Sequence, residues 1–363
     1  MSQQAEYDPS TSVKNMQDQR SPADLNTWAE RLKKFLAAQA GVRGNIVISD
    51  MRVPTNGGSS GTLIFTAEYD AGGGHRREDL VLRYSVEGGL FHAYNLPGQY
   101  AILKGLQGTG VPIPGVVGID ETGNLLGQIG YLMTRINGAA PPPSYFKFGP
   151  LFDATPESRR KMVLSTVAAQ AKFHALDWNT LGIDFLTKRG NGRTALERDL
   201  DWHFTSLCWG CPKEAHTMEP MRQWLLKNQP EEKYICLCHG DAMLPNYMFL
   251  DDKVTAVLDW ELAFLGHPTN DVAYQAFTHA FLGLGCPPLA GCPTIDERKA
   301  EYERVTGKPI EHWDYFYTIA AFKVMLSMML VFREVPPEME AMKKGSLDFI
   351  WQCVLESQAK CKA

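Results

Sequence analysis

Residues 237–261 constrain the fold of this chain more than any other stretch; they read LCHGDAMLPNYMFLDDKVTAVLDWE. Two short apolar runs, 247–250 and 254–258, flank the polar tripeptide Asp251-Asp252-Lys253. Such runs around a polar break predict a β-hairpin with a tight turn. That hairpin would bring Asn246, just before its first strand, beside Asp259, just after its second.

The polar residues of this stretch suit phosphoryl transfer. An amide oxygen from Asn246 and a carboxylate from Asp259 are hard oxygen ligands, which suit Mg²⁺ that is shared with phosphate oxygens. Asp241 precedes Asn246 by five residues and could accept the proton of an attacking hydroxyl. The alternative is a buried hairpin with a solvated turn and a structural His239.

The pattern H-G-D-x-x-x-x-N, followed after the hairpin by D-W-E, resembles the aminoglycoside phosphotransferase family, which shares the protein-kinase-like fold with choline kinases. The resemblance implies that Asp241 is the catalytic base, that His239 supports its loop, and that Asn246 and Asp259 hold Mg²⁺. It implies ATP as donor, with GTP left open. It also implies a bilobal α+β fold: an N-terminal lobe built on an antiparallel β-sheet and a larger, mostly helical C-terminal lobe.

Residues 46–53, 62–69 and 79–85 read as strands separated by glycine-rich turns, which predicts two antiparallel hairpins. The first turn, Gly57-Gly58-Ser59-Ser60-Gly61, would let backbone amides approach phosphate oxygens, because glycine has no Cβ to obstruct them. A flexible surface turn is the alternative.

A helix is also predicted after Ser21-Pro22-Ala23-Asp24, with Ser21 as its cap and Gly41 at its end.

The glycine-rich turn 57–61 also matches G-x-S-x-G, the nucleophile motif of serine hydrolases, with Ser59 at its centre. A nucleophile elbow requires a helix after the serine. Residues 62–66 are β-branched and aromatic instead, which favours a strand. The hydrolase therefore ranks below the phosphotransferase.

Three further assignments rest on the resemblance. Arg83 occupies the position of a strand cation that contacts phosphates, and the backbone of Met133, Thr134, Arg135 and Ile136 would contact the adenine. Gln99 stands where the family has a glutamate that pairs with the strand cation. This departure supports a second alternative, a nucleotide-binding protein of the same fold without catalysis.

In the second half of the chain, Thr155 and Thr294 are predicted helix caps, the latter within a capping box. By resemblance, Asp271 braces the catalytic loop. Glu261 either reaches the metal through water or is a solvated carboxylate. The expected domains are a disordered tail over 1–20, a nucleotide-binding lobe with a leading helix over 21–136, and a catalytic and acceptor-binding lobe over 137–363.

The partner is expected to be a small molecule with a hydroxyl group. A net charge of −5 over 363 residues argues against a nucleic-acid partner. The apolar stretch 319–332 is short and contains Lys323, which predicts a buried helix and no membrane span. Aromatic residues mixed with Asp199, Asp201 and Glu214 favour an aromatic or hydroxyacyl acceptor over a polycationic aminoglycoside. Oligomeric state is left open.

Eight cysteines without a recognisable signal peptide predict free thiols and a cytoplasmic protein. One spacing could chelate zinc, namely His203, Cys208, Cys211 and His216. The competing interpretation, that these cysteines are small buried apolar groups, is favoured.

Overall fold

The computed structural model describes residues 24–39, 41–54, 60–86 and 88–361. The predicted disordered tail therefore lies outside the described residues. The described strands are β1 (Val42–Arg52), β2 (Gly61–Ala71), β3 (Gly74–Tyr84), β4 (Val116–Asp120), β5 (Gly130–Thr134), β6 (Cys236–Cys238), β7 (Tyr247–Leu250), β8 (Lys253–Val257) and β9 (Phe264–Gly266).

The described α-helices are α1 (Leu25–Ala37), α2 (Leu96–Leu106), α3 (Pro150–Asp153), α4 (Pro156–His174), α5 (Ala195–Gly210), α6 (Pro212–Lys227), α7 (Thr269–Leu282), α8 (Ile295–Thr306), α9 (Trp313–Val331) and α10 (Glu340–Lys360). Two compact units result. The N-terminal unit comprises Met1–Gly89, Asn95–Lys104 and Pro114–Ile136; the C-terminal unit comprises Leu90–Tyr94, Gly105–Ile113 and Asn137–Ala363.

An antiparallel sheet of five strands, in the order β1-β2-β3-β5-β4, forms the framework of the N-terminal unit. Helix α1 contributes four buried residues to the core of this unit, Trp28, Leu32, Phe35 and Leu36. The cap of α1 is Asp24, whose carboxylate accepts from the amide of Asn26 at 2.9 Å. Asp24 therefore caps this helix in place of the predicted Ser21.

The segment after the glycine-rich turn is β2, an eleven-residue strand that pairs with β3 from Gly61 opposite Tyr84 to Ala71 opposite Gly74. A strand here contradicts the hydrolase alternative, because the nucleophile elbow of that fold leads into a helix. Ser59 itself lies outside the described residues.

Helix α9 lies at the centre of the C-terminal unit and packs with α5, α7 and α10. By length and composition it is the one helix in the described part of the chain that could cross a membrane, yet 67% of its most apolar window is buried inside the protein. It is thus the core helix that the sequence predicts. Lys323, on α9, is only 2% exposed.

Local capping residues behave as expected in this unit. The hydroxyl of Thr155 accepts from the amide of Ser158, and Thr294 and Glu297 form a reciprocal capping box at the start of α8. Each motif satisfies backbone amides that have no partner within their helix.

Candidate active site

The hairpin β7–β8 is joined by Asp251 and Asp252, both with positive φ (49° and 63°). Two such residues are typical of the tight turns whose twist matches that of paired strands. Lys253, predicted to be in the turn, begins β8. At the open end, the amide of Leu258 donates to the carbonyl of Asn246 at 2.8 Å. The hairpin therefore places Asn246 next to the residue that precedes Asp259.

The loop that carries Asp241 starts at the end of β6, which pairs with β9. Gly240 has φ of 81°, and a Cβ at this position would lie 2.0 Å from the carbonyl oxygen of Leu262. Glycine is required here for two reasons: the left-handed backbone and the close approach of the neighbouring chain.

Asp271 holds this loop in place through hydrogen bonds to its backbone. Its carboxylate accepts from the amides of His239, at 2.7 Å, and Gly240, at 3.0 Å. It also pairs with His174 Nε2 at 3.0 Å, and His174 Nδ1 lies 2.9 Å from the hydroxyl of Tyr302. Burial by itself raises the pKa of Asp271, but His174 and the amide of His239 hold it below its ordinary value. Asp271 is thus a buried, charged brace.

His239 connects the loop to the hairpin. Its Nε2 donates to the carbonyl of Leu258 at 2.7 Å, and its Nδ1 accepts from the amide of Asp241 at 3.2 Å. These two bonds place a ring proton on Nε2 and leave Nδ1 as an acceptor. The imidazole thereby supports the loop, which is the role implied by the resemblance.

Asp241 and Asn246 are in direct contact. Asn246 Nδ2 donates to the backbone oxygen of Asp241 and to its carboxylate Oδ2, both at 2.8 Å. Because the nitrogen of this amide is committed to Asp241, its Oδ1 is the atom left to ligate a cation. A third residue, Tyr274, lies close enough for its hydroxyl to stabilise the charged Asp241 carboxylate.

The pKa of Asp241 is raised by burial and further by the negative charge of Asp259, while His239, Asn246 and Tyr274 act in the opposite direction. Asp259 is close enough for its charge to be felt at Asp241. Its backbone is left-handed, with φ of 63°, and it opens the short 3₁₀ turn Trp260–Leu262. Non-glycine residues in this conformation are uncommon and cluster at functional sites. Half-buried Glu261 lies in the same turn.

The donor set fits magnesium. Asn246 Oδ1 and the Asp259 carboxylate are hard oxygen donors that flank the open end of one hairpin, and Mg²⁺ needs only one or two such protein ligands beside phosphates and water. The fit rests on chemistry and on the local hydrogen bonds.

The residues expected to contact the nucleotide belong to the N-terminal unit. Gly57, Gly58 and Ser59 lie outside the described residues, whereas Ser60 is buried and Gly61 begins β2. Arg83 is on β3, opposite Thr62 on β2 and Tyr131 on β5. Met133 and Thr134 end β5. Arg135 follows, its amide donating to the carbonyl of Asp79 at 2.9 Å, and then Ile136.

Gln99, the departure from the family pattern, is 3% exposed. Its Oε1 accepts from the hydroxyl of Tyr131 at 3.4 Å, and its Nε2 has no hydrogen-bond partner within the ranges described above. The side chain is therefore held within the N-terminal unit by one long hydrogen bond.

The four residues of the proposed zinc spacing do not converge. His203 is buried beside Asp199 at 3.6 Å, Cys208 and His216 are exposed, and Cys211 Sγ points to the carbonyl of Met329 at 3.5 Å. Cys211 lies at the break between α5 and α6, with His203 and Cys208 on the first helix and His216 on the second. The interpretation of these cysteines as ordinary thiols is the better one.

Sequence reasoning missed two arrangements. His174 is a core residue that also pairs with Asp271. In addition, Asp199 is buried between Arg189, at 2.8 Å, and Lys323, at 2.8 Å. The only signal in the sequence was the occurrence of Lys323 inside an apolar helix.

The antiparallel five-stranded sheet and the mostly helical second unit define a protein-kinase-like fold. The profile of the Phosphotransferase enzyme family, APH, matches residues 66–292. This is more than half of the chain, and the protein belongs to that family.

Among curated proteins, the chain is 28% identical over 268 residues to acyl-CoA dehydrogenase family member 10 of Mus musculus, covering 70% of this chain and 24% of the relative. It is 26% identical over 258 residues to acyl-CoA dehydrogenase family member 11 of Rattus norvegicus, covering 67% of this chain and 32% of the relative. The chain thus spans a quarter to a third of these relatives' length.

Solved structures share the fold. A putative aminoglycoside phosphotransferase from Ralstonia eutropha superposes with a TM-score of 0.67 at 21% identity, covering 92% of this chain and 98% of that one. An ethanolamine kinase from Plasmodium vivax superposes with a TM-score of 0.61 at 13% identity, covering 97% of this chain and 98% of that one. An ADP-bound aminoglycoside phosphotransferase superposes with a TM-score of 0.53 at 12% identity, covering 86% of this chain and 95% of that one.

Proposed function

We propose that this protein transfers the γ-phosphoryl group of ATP to a hydroxyl of a small molecule, with Asp241 as the catalytic base. The observation that carries the proposal is the pair of hydrogen bonds from Asn246 Nδ2 to Asp241. They orient the base and leave Asn246 Oδ1, beside Asp259, for Mg²⁺. When bound, the ion would neutralise phosphate charge.

In this mechanism the chain itself contributes positioning and one proton transfer. Asp241 orients the acceptor hydroxyl and takes its proton as the bond to the γ-phosphorus forms and the bond from that phosphorus to the departing ADP breaks. His239 and Asp271 keep the loop rigid. Arg83, the turn 57–61 and the backbone of Met133 to Ile136 are proposed to contact the nucleotide, in which GTP could replace ATP; family resemblance supports this part.

The proposed acceptor is a hydroxyacyl compound or an aromatic alcohol. A polycationic aminoglycoside needs unpaired carboxylates, yet Asp199 is buried between Arg189 and Lys323, and Asp201 faces Arg222 at 3.5 Å. Asp199 and Asp201 are therefore already paired with cations, whereas Glu214 is exposed. The names of the curated relatives refer to acyl-CoA, which favours the hydroxyacyl class. The thiol state of all eight cysteines supports a cytoplasmic location.

Replacing Asp241 by Ala tests the base. We expect kcat to fall by about 10²-fold or more, the usual contribution of a positioned base, with nucleotide affinity nearly unchanged. Asp251→Asn, in the exposed turn of the same hairpin, is the matched control and should retain activity. Unaltered turnover in Asp241→Ala would remove this assignment.

The acceptor is tested by ATP consumption with a panel of hydroxyacyl thioesters, hydroxy acids, aromatic alcohols and aminoglycosides. We expect turnover with the first three groups to exceed turnover with aminoglycosides. The highest kcat/KM on an aminoglycoside would contradict the acceptor proposal but leave the phosphotransferase proposal intact. Nucleotide binding without ATP consumption on any compound would favour the non-catalytic alternative, which the departure at Gln99 supports.

A further inference from the structure

A cavity of about 230 Å³ lies in the C-terminal unit, between α7, the loop that follows it and the start of α8. Most of its wall is apolar, from Ala276, Pro288, Leu289, Pro293 and Ile295. Since one water takes ~30 Å³ of liquid, this space corresponds to about eight waters. It is large enough for a compact organic molecule.

The cavity wall includes a buried cation. Arg298, on α8, is 3% exposed; its Nε donates to the carbonyl of Pro293 at 3.1 Å and its Nη2 to Cys292 Sγ at 3.3 Å. Its Nη1 has no hydrogen-bond partner, and within the described ranges no carboxylate lies within ion-pair distance of it. A buried guanidinium without an anion is unfavourable unless something compensates its charge.

The charged neighbours do not supply that compensation. Arg159 is buried on the same side, and its nitrogens donate to backbone carbonyls, including that of Ala290. Glu297 is turned toward Arg160, at 2.8 Å, and toward the cap of α8. The wall therefore carries excess positive charge at Arg298.

His279, the remaining titratable group in the wall besides Cys292, is neutral. Burial and the charge of Arg298 lower the pKa of His279 to about 3. Its Nδ1 lies 2.7 Å from the hydroxyl of Tyr145, and its Nε2 lies 3.5 Å from Cys292 Sγ. Burial raises the pKa of Cys292, so this thiol adds no negative charge at neutral pH.

We propose that this cavity binds a small monocarboxylate with a compact apolar body, its carboxylate at Arg298 and its body against the apolar wall. Inorganic phosphate would leave those apolar surfaces uncovered. The cavity is separate from the catalytic loop: Ala276 and His279 follow Tyr274, which contacts Asp241, by about 200° and 140° around α7. The site is therefore a second ligand site, apart from the catalytic loop.

Binding of benzoate by calorimetry or ligand-observed NMR tests the proposal, with benzamide as the uncharged isostere. We expect benzoate to bind the wild-type protein at least ten-fold more tightly than benzamide. Arg298→Gln should weaken benzoate at least ten-fold. Arg304→Gln, an exposed arginine of the same helix that pairs with Glu301, should leave binding unchanged.

Leu289→Trp fills the cavity and keeps Arg298, so it should also abolish benzoate binding. This variant tests the site if Arg298→Gln fails to fold. Asp241→Asn should bind benzoate like wild type, which places the ligand outside the catalytic loop. Equal binding of benzoate and benzamide, no binding to wild type, or full binding by folded Leu289→Trp would each overturn the proposal.

Discussion

At the scale of single residues, the hydroxyl of Tyr274 is the contact of Asp241 that no motif indicated. It stabilises the ionised carboxylate, whereas burial and Asp259 favour the protonated acid. A base must be deprotonated to act, so this hydrogen bond extends the working range of Asp241 toward lower pH.

Replacing Tyr274 by Phe should therefore raise the pKa of Asp241 and move the acid limb of kcat/KM to higher pH. We expect the fractional loss of activity to be largest on the acid limb of the profile and to shrink as the pH rises. A pH–rate profile measures this, with Tyr317→Phe in the same core as the control. An equal loss at every pH would mean that Tyr274 acts only by packing.

Gly240 gives a second prediction at this scale. Gly240→Ala adds a left-handed penalty of about 1–2 kcal/mol and a Cβ that clashes with the carbonyl of Leu262. We expect a loss of about 3 kcal/mol or more in the free energy of unfolding by urea. Gly307→Ala, with φ of 66° and open space around it, should cost only the backbone penalty. Similar costs for both variants would contradict the close approach at Gly240.

At the scale of elements, the His174–Asp271 pair joins α4, α7 and the loop after β6. Burial alone would lower the pKa of His174, but the hydrogen bond with Asp271 is the main effect that raises it to about 9. The pair is consequently a pH-dependent link between three elements that hold the catalytic loop.

Because the folded pKa of His174 lies above its unfolded value of 6.5, its contribution is complete below pH 6.5 and disappears as the pH rises through about 9. The contribution amounts to about 3 kcal/mol at most. Urea unfolding from pH 6 to 10 should show this decline in the wild type but not in His174→Gln. Exposed His216→Gln should retain the decline, and a parallel decline in His174→Gln would contradict the assignment.

At the scale of the whole molecule, predictability follows the range of the interactions. The cap at Thr155, the capping box at Thr294 and the hairpin β7–β8 depend on neighbouring residues, and the sequence predicted them. Ser21 and Asp24 are both acceptable caps, and local pattern could not decide which one starts α1. The ion pairs of Asp199 with Lys323, 124 positions along the chain, and of His174 with Asp271 exist only after tertiary packing, so no local pattern reveals them.

The bound nucleotide should stabilise the whole molecule if Asn246 and Asp259 hold a metal. A ligand at about 100 times its Kd adds roughly 2.7 kcal/mol to the free energy of unfolding, which for a chain of this size raises Tm by a few degrees. We expect ATP with Mg²⁺ to produce this shift in a thermal melt and EDTA to remove most of it. Asp259→Asn should lose the magnesium-dependent part because a neutral amide is the weaker ligand for a hard cation, whereas Asp251→Asn should keep it. A shift that is the same with Mg²⁺ and with EDTA would mean that the nucleotide binds without the metal, and the ligand role of Asp259 would have to be abandoned.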